Sequence, residues 1–145
     1  MTAAAAATIE AATDLGFRLN FFKLIVNDME AMIAFYTGAF GMVEAAPRVN
    51  LPEIEEAMLT MPGDRFTLVL YRWKDGRELA PGSAHGPVGF LTKDVDAAYA
   101  RLIDHGARSL RKPFALGPMK ISFVTDPEGH EVELVQFVRD ERPSA

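Results

Sequence analysis

The side chains of this chain that could take part in chemistry are histidines, carboxylates and a few cations, because cysteine is absent. That absence excludes disulfides, thiolate nucleophiles and cysteine-ligated zinc. The three histidines lie apart, with His85 in a polar segment, His105 near the end of a predicted helix and His130 just after a turn. His130 and Glu131 are neighbours in a predicted strand and point to opposite faces of it. The histidines therefore do not form a metal-binding pattern.

Composition and motifs exclude several other classes of function. The chain has 145 residues and a formal net charge of −5, and it lacks the basic face that nucleic-acid-binding proteins usually carry. It contains no nucleophile elbow, no P-loop and no dinucleotide-binding glycine pattern. No apolar run is long enough to span a bilayer, and no Lys or Arg precedes Arg18 as a signal peptide would require. We expect a cytoplasmic protein without nucleic-acid or membrane partners.

A duplicated pattern indicates how the chain is organised. Val26-Asn27-Asp28 begins a run that reappears at Thr92-Lys93-Asp94, so the two aspartates are 66 positions apart (94 − 28). Either Asn27 or Asp28 in the first half, and Asp94 in the second, is a favoured N-cap followed by apolar residues at helical spacing. Downstream, Met61-Pro62-Gly63-Asp64 and Asp126-Pro127-Glu128-Gly129 both precede strand-like runs, 65 positions apart (127 − 62). Self-similarity on this scale predicts two halves with one element order, β-α-β-β-β.

The repeat divides the chain into five segments. We predict an N-terminal extension at 1–17, a first module at 18–73, a linker at 74–86, a second module at 87–138 and a C-terminal tail at 139–145. The extension is rich in alanine and is expected as either a short helix or a frayed tail. After its helix, the first module is expected to have strands near 42–49, 55–61 and 65–73.

Taken together, these motifs resemble the vicinal oxygen chelate superfamily, which includes glyoxalase I, bleomycin-resistance protein and extradiol dioxygenases. The resemblance covers roughly Phe21 to Phe137. Its marks are Val26-x-Asp28, Phe35-Tyr36, Phe40-Gly41, Phe90, Asp94 to Ala98, Asp126-Pro127-x-Gly129 and Glu133-Leu134. It implies an α+β fold of tandem βαβββ modules whose two half-sheets form a cleft or a barrel-like cavity. The superfamily includes lyases, isomerases, dioxygenases and simple binding proteins, so the fold alone does not decide the function.

The resemblance also implies where a metal would be held. Metal-dependent members have four ligands in the cleft, one on the first strand and one on the last strand of each module. Carried over by motif, these positions are Phe21, Leu68, Pro87 and Glu133. Three of these side chains cannot coordinate a metal, and a catalytic divalent site normally needs about three protein ligands. We therefore expect no metal and no cofactor, with Glu133 as the one polar group at these positions.

Strand alternation extends each of these positions to its neighbours two residues away. The expected ligand-binding set is Phe21, Lys23, Ile25, Phe66, Leu68, Leu70, Arg72, Pro87, Gly89, Glu131 and Val135. Such a cleft is largely apolar with a few charges, which is the usual form of a small-molecule site. By the same reasoning, Tyr71 and Trp73 are expected on the face away from the cleft, against a helix or an interface.

Two roles for Glu133 are consistent with this pattern. In the first, it forms a structural ion pair with Lys23 or Arg72 that fills the place of the metal, since buried charges tend to be paired. In the second, it contacts a ligand or acts as a catalytic general base, with Lys23 or Arg72 beside a developing oxyanion. The sequence leaves both open.

Three functions follow, in order of preference. The first is metal-independent binding of a small hydrophobic or aromatic molecule. The second is a metal-independent isomerase, epimerase or lyase that uses Glu133. The third is a metal-dependent lactoylglutathione lyase or dioxygenase. A homodimer is expected because each half-sheet is too small to close a cavity alone, and the modules could pair within one chain or between two chains.

Overall fold

The computed structural model describes residues 2–5 and 13–138 of the chain. Within the predicted N-terminal extension, residues 3–5 and 13–14 are helical. Residue 1 and residues 6–12 lie outside the described residues, as does the predicted C-terminal tail at 139–145.

The first module forms one five-stranded sheet with one helix. Its elements are β1 (Phe21–Ile25), α1 (Met29–Phe40), β2 (Val43–Glu44), β3 (Val49–Asn50), β4 (Ile54–Thr60) and β5 (Thr67–Trp73). The strand order is β1-β5-β4-β2, β3 also pairs with β4, and β1 runs parallel to β5. The strand predicted near 42–49 is split into β2 and β3. Pro47 lies between them and has no N–H to donate to a ladder.

The second module repeats this arrangement with four strands. Its elements are β6 (Val88–Leu91), α2 (Val95–Asp104), β7 (Arg108–Leu116), β8 (Met119–Thr125) and β9 (Glu131–Phe137), and the strand order is β6-β9-β8-β7. Residues 74–87 between the modules contain neither helix nor strand. The predicted α+β fold of tandem modules is confirmed. Within the described residues the two sheets remain separate and do not close into a barrel.

The duplicated aspartates act as helix caps, as predicted. The side chain of Asp28 accepts the Ala31 N–H at 3.0 Å, and that of Asp94 accepts the Ala97 N–H at 3.1 Å. Both caps occupy an orphan donor in the first turn of a helix. Gly41 ends α1 in a left-handed conformation with φ 75°, which glycine adopts without steric cost.

One hydrophobic core lies between the two helices and the helix-facing sides of both sheets. Met32 and Tyr36 of α1 and Leu102 of α2 are almost fully buried in it. The modules are therefore joined through their helix-bearing sides, and the other side of each sheet stays open. Among residues 2–5 and 13–138, no helix is long and apolar enough to cross a membrane.

The two helices also meet directly. The ring of Phe40, at the end of α1, stacks on Phe90 of β6 with 3.9 Å between the ring centres. The guanidinium of Arg101 in α2 donates to the carbonyls of Gly38 and Ala39 at 2.8 Å each. Because the last carbonyls of a helix lack intrahelical donors, Arg101 satisfies the C-terminal end of α1.

Candidate functional site

The core distinguishes the two faces of the first sheet. On β5, Leu68 and Leu70 are 3% and 0% exposed and belong to the core packed on α1. Side chains alternate along a strand, so the residues between them face the other way. We call that side the first open face. The ladders assign to it Phe21, Lys23, Ile25, Ile54, Glu56, Met58, Thr67, Val69, Tyr71 and Trp73.

Several β5 residues predicted for the cleft lie elsewhere, so that part of the prediction is wrong. Leu68 and Leu70 are core residues, and Arg72 lies on their side of the sheet, paired with Glu55 across β4. Phe66 precedes β5 and lies at the surface. The prediction erred by one residue, and a one-residue slip in a strand moves every side chain to the opposite face.

The error arose because the number of positions between equivalent residues of the two modules is not constant along the chain. The ladders pair Gly89 with Glu133 and Lys23 with Val69, and Gly89 and Lys23 are 66 positions apart (89 − 23). Val69 is therefore the counterpart of Glu133, at an offset of 64 (133 − 69). From the turn proline to this position, the first module is one residue longer (69 − 62 against 133 − 127). The family ligand position on β5 thus holds valine rather than leucine.

The charges on the first open face are satisfied within the face. Lys23 forms an ion pair with Glu56, and its ammonium lies 4.9 Å from the centre of the Tyr71 ring. The rings of Tyr71 and Trp73 meet edge to face at 5.0 Å, and the Arg77 guanidinium lies 4.0 Å from the centre of the Trp73 ring. Sequence reasoning directed these two aromatic residues away from the cleft. The correct strand register makes them an aromatic surface of it.

The second open face, on the corresponding side of the second sheet, contains Glu133 in the middle of β9. Glu133 is half-buried and makes no hydrogen bond or ion pair with any described residue. Its neighbour on β6 is Gly89, where an added Cβ would meet nothing within 4 Å, and its neighbour on β8 is Phe123. The carboxylate therefore lies between an open slot and an aromatic ring.

Further along this face the chain places a cation over aromatic rings. The rings of Phe114 and Phe123 stack with 6.5 Å between centres, and the guanidinium of Arg111 lies 3.4 Å from the centre of the Phe114 ring. Neither phenylalanine was predicted as a site residue. Phe114 lies on β7, whose register shifts simple alternation cannot locate. Phe123 lies on β8, directly beside Glu133 in a regular ladder. The predicted residues that the ladders assign to this face with Glu133 are Gly89, Glu131 and Val135, and Pro87 directly precedes β6.

Of the two roles that the sequence left open for Glu133, the ion pair with Lys23 or Arg72 is contradicted by the structure. Lys23 pairs with Glu56 and Arg72 pairs with Glu55, each across a strand of its own sheet. Glu133 has no partner among the described residues. A carboxylate that is partly removed from water without a partner is a group that a ligand can satisfy.

A cavity of about 270 Å³ lies at the junction of the two modules. It brings together three of the predicted residues, Lys23, Ile25 and Glu131, with His85 and His130. The segment that follows the first module covers it, and its remaining lining is largely apolar. Glu133 does not line this cavity, so the predicted residues are divided between the cavity and the two open faces.

The four metal positions implied by the family do not hold a metal-binding donor set. With the register corrected they are Phe21, Val69, Pro87 and Glu133, of which Glu133 alone has a side-chain donor. Within residues 2–5 and 13–138 there is no group of three or more His, Cys, Asp or Glu side chains that could hold a metal ion. Both ring nitrogens of His130 are already engaged, by Asp126 and by the Ile25 carbonyl. The residues present therefore do not fit a catalytic divalent ion.

Comparison with known families identifies the class of protein. Residues 18–134 match the family model of the Glyoxalase/Bleomycin resistance protein/Dioxygenase superfamily. The match covers most of the chain and both modules, so the chain belongs to this superfamily.

Curated relatives and solved structures agree with this assignment. The lactoylglutathione lyase of Salmonella typhimurium is 28% identical over 133 residues, covering 82% of this chain and 92% of that protein. A probable lactoylglutathione lyase of Synechocystis is 26% identical, covering 77% of this chain and 88% of that protein.

Among solved structures, a V278E mutant of maize glyoxalase I is 30% identical with a TM-score of 0.73, covering 81% of this chain. The chain spans 45% of the length of that maize protein. The trypanothione-dependent glyoxalase I of Leishmania major is 22% identical with a TM-score of 0.71, covering 83% of this chain and 86% of that one, and it supports the fold alone.

Proposed function

We propose that this glyoxalase-superfamily chain binds a small, mainly apolar or aromatic molecule on the open faces of its sheets without a metal. The observation that carries the proposal is the composition of the four family ligand positions, three of which hold Phe21, Val69 and Pro87. Where metal-dependent members need donors, this chain has apolar surface. A largely apolar site with a few polar groups is the usual form of a small-molecule site.

The aromatic side chains of the open faces support an aromatic ligand. Tyr71 and Trp73 form one aromatic surface, and Phe114 and Phe123 form another. Aromatic rings favour offset or edge-to-face contact with other rings, worth about 0.5–1.5 kcal/mol beyond area burial. The unpaired carboxylate of Glu133 then supplies a single polar contact beside the Gly89 slot.

A homodimer is part of this proposal. Phe21 on the first open face is 53% exposed, and Leu91, next to the second, is 66% exposed. A second copy of the chain could cover both faces and complete an enclosed site. Light scattering coupled to size-exclusion chromatography tests this directly, and a monomer at micromolar concentration contradicts it. A cytoplasmic location remains a prediction.

Metal analysis is the first test of the binding proposal. The purified protein is analysed by mass spectrometry for bound ions, and again after incubation with nickel, manganese, zinc and iron followed by desalting. We expect less than about 0.1 ion per chain. One tightly bound ion per chain contradicts the metal-free proposal.

Ligand binding is the second test, and it uses the single tryptophan as the reporter. Trp73 lies on the first open face, so quenching of its fluorescence by small aromatic compounds reports contact with that face. Gly89→Leu fills the slot beside Glu133 and is expected to weaken binding at least tenfold, measured by calorimetry. The matched control is Ala34→Leu, which introduces the same side chain on the exposed side of α1. Equal affinity of all three proteins contradicts a site beside Glu133.

The second candidate is a metal-independent isomerase, epimerase or lyase. Glu133 favours it because an unpaired, half-buried carboxylate can act as a general base. The curated relatives named lactoylglutathione lyase suggest S-lactoylglutathione as the first compound to test. Its loss should be followed with and without added divalent ions. Metal-free turnover that falls at least 100-fold in Glu133→Gln, with binding retained, supports the enzyme over simple binding. Turnover only with added metal supports the third candidate, a metal-dependent lyase or dioxygenase.

A further inference from the structure

The turn from Asp126 to His130 in the second module makes a set of polar contacts to the first module. The Glu128 carboxylate accepts the backbone N–H groups of Asn27 at 2.7 Å and Asp28 at 2.8 Å, just before α1. The side chain of Asp126 accepts the hydroxyl of Tyr36, within α1, at 2.8 Å. These contacts join residues about 100 positions apart and hold the first turn of α1 against the second module.

His130 completes this set from a buried position. Its Nδ1 lies 2.7 Å from Oδ2 of Asp126, and its Nε2 lies 2.7 Å from the carbonyl oxygen of Ile25 at the end of β1. His130 is 8% exposed, and Asp126 and Tyr36 are 0% exposed. Three side chains of the turn therefore contact β1, α1 or the backbone between them, namely Asp126, Glu128 and His130.

The hydrogen bonds fix the number of protons on the His130 ring. A carbonyl oxygen can only accept, so Nε2 must carry a hydrogen to bond to Ile25. Oδ2 of Asp126 is an acceptor for Tyr36, and as an ionised carboxylate it also needs a hydrogen on Nδ1. A neutral imidazole has one N–H, so with a carboxylate at Asp126 the two contacts together favour the imidazolium. The second ring proton of His130 is therefore held in a buried cluster with Asp126 and Tyr36.

The charged and titratable groups around His130 favour this state. Burial lowers the pKa of His130. This effect is outweighed by groups that raise the pKa, which are the hydrogen bond and charge of Asp126, the Ile25 carbonyl and the charge of Glu128. The pKa of His130 is therefore raised overall. Burial, with Asp126 next in effect, raises the pKa of Tyr36 well above its usual value, so its hydroxyl remains a donor. Lys23 of β1, His85 of the covering segment and Glu131 of β9 share the adjoining cavity.

The corresponding turn of the first module carries no such cluster. Its residues are Met61, Pro62, Gly63 and Asp64, and 66 positions after Tyr36 the second helix has Leu102. The counterpart of Ile25 is Leu91, which is 66% exposed. Among the described residues, the polar contacts that this turn makes to the other module therefore have no counterpart at the corresponding turn of the first module.

We propose that the Asp126–His130 turn is a proton-dependent clamp between the modules. With both ring nitrogens of His130 protonated, the clamp holds β1 and the start of α1 against the second module. Loss of one ring proton at alkaline pH breaks the contact to Ile25 or to Asp126 and loosens this end. Ile25, Gly129 and His130 also line the cavity between the modules, so the same event opens that cavity.

The sign of the pH dependence follows from linkage. Because the folded-state pKa of His130 is raised, its stabilising contribution is fully present below the unfolded-state pKa of about 6.5. The contribution is lost as pH rises through the higher folded-state value. The clamp is therefore closed in mildly acidic solution and open in alkaline solution.

Nuclear magnetic resonance of the wild-type protein from pH 5.5 to pH 9 tests the clamp. We expect both ring nitrogens of His130 to be protonated at the acidic end and one to be lost on titration. Hydrogen exchange of the Asn27 and Asp28 amides, corrected for base catalysis, should rise at least tenfold with the same midpoint. The Thr92 amide, bonded to the Val135 carbonyl within the second sheet, is the internal control and should not follow it. The proposal is overturned if the His130 ring is neutral at the acidic end. It is also overturned if the exchange rates of the Asn27 and Asp28 amides do not change as His130 titrates.

Substitution separates the clamp from general effects of histidine titration. His130→Gln should make exchange of the Asn27 and Asp28 amides fast and independent of pH. The matched control is His85→Gln, which removes the other histidine of the cavity and should leave the titration unchanged. Loss of the pH response in His85→Gln overturns the proposal. If His130→Gln does not fold, the wild-type titration and the His85→Gln control still decide it.

Discussion

The two modules share one scaffold but place their polar groups differently. On the first open face, Lys23 and Glu56 satisfy each other. On the second, Glu133 has no partner among the described residues, and the polar groups of the preceding turn contact the first module instead. The two modules therefore share their helix caps and strand order but differ in the partners of their charged side chains. The first module supplies an aromatic surface whose lysine and glutamate are paired with each other. The second supplies the clamp and a carboxylate that has no partner among the described residues.

The largest expected difference between the modules is at their turns. Asp126→Ala removes a buried acceptor and leaves Nδ1 of His130 and the Tyr36 hydroxyl without a partner. Breaking a buried pair of this kind costs about 3–5 kcal/mol of the free energy of unfolding. The matched change Asp64→Ala, in the exposed turn of the first module, should cost less than about 0.5 kcal/mol. Urea denaturation measures both, and equal costs would mean that the turns are equivalent.

The assignment of faces on β5 predicts the next largest difference. Leu68→Ala deletes a core side chain and should lower the free energy of unfolding by about 2–5 kcal/mol. Its neighbour Thr67 points to the first open face, so Thr67→Ala should cost less than about 1 kcal/mol. If Thr67→Ala costs more free energy of unfolding than Leu68→Ala in denaturation experiments, Leu68 faces the cleft and the strand register predicted from the sequence is correct.

The free energy of unfolding at alkaline pH should depend on Tyr36 of α1. Burial raises the pKa of Tyr36 well above its usual value, so the folded protein keeps this proton while the unfolded chain releases it near pH 10. Stability should therefore fall above pH 10, by up to about 1.4 kcal/mol per pH unit from this group. Tyr36→Phe should reduce the slope relative to the unchanged protein. Denaturation midpoints between pH 9 and pH 11 measure this, and identical slopes contradict it.

The smallest difference concerns the two glutamates of the open faces. Glu56→Gln removes the partner of Lys23 and should cost about 0.5–1 kcal/mol, because the lysine side chain is 43% exposed and its charge is partly screened. Glu133→Gln removes no hydrogen bond or ion pair with a described residue and should change the free energy of unfolding by less than about 0.5 kcal/mol. Calorimetry in low and high salt measures both. A large loss in Glu133→Gln would reveal a partner for this carboxylate.

Much of the fold was predictable because its signals are local. Asp28 and Asp94 cap their helices through N–H groups three residues away, and Gly41 ends α1 by its own backbone conformation. Such contacts need no knowledge of the rest of the chain. The exception is the strand predicted near 42–49, where Pro47 divides β2 from β3.

The site was predicted less well because its geometry depends on register. On β9 the family motif located Glu133 on the open face, and Glu131 and Val135 followed from alternation. On β5 a connection longer by one residue exchanged Leu68 and Leu70 for Val69 and Tyr71. Alternation carries an error of one residue along the whole strand, so Trp73 was misplaced as well.

The sequence by itself determined the repeat, the order of the elements and the chemical character of the family ligand positions. Leu68 and Val69 are equally unable to bind a metal, so that conclusion survived the register error. Only the tertiary structure decided which carboxylates have partners. Glu128 meets the N–H groups of Asn27 and Asp28 across about 100 positions of sequence, and Lys23 meets Glu56 rather than Glu133. Ion pairs and buried hydrogen bonds depend on distances that packing sets, and no local pattern of residues encodes those distances.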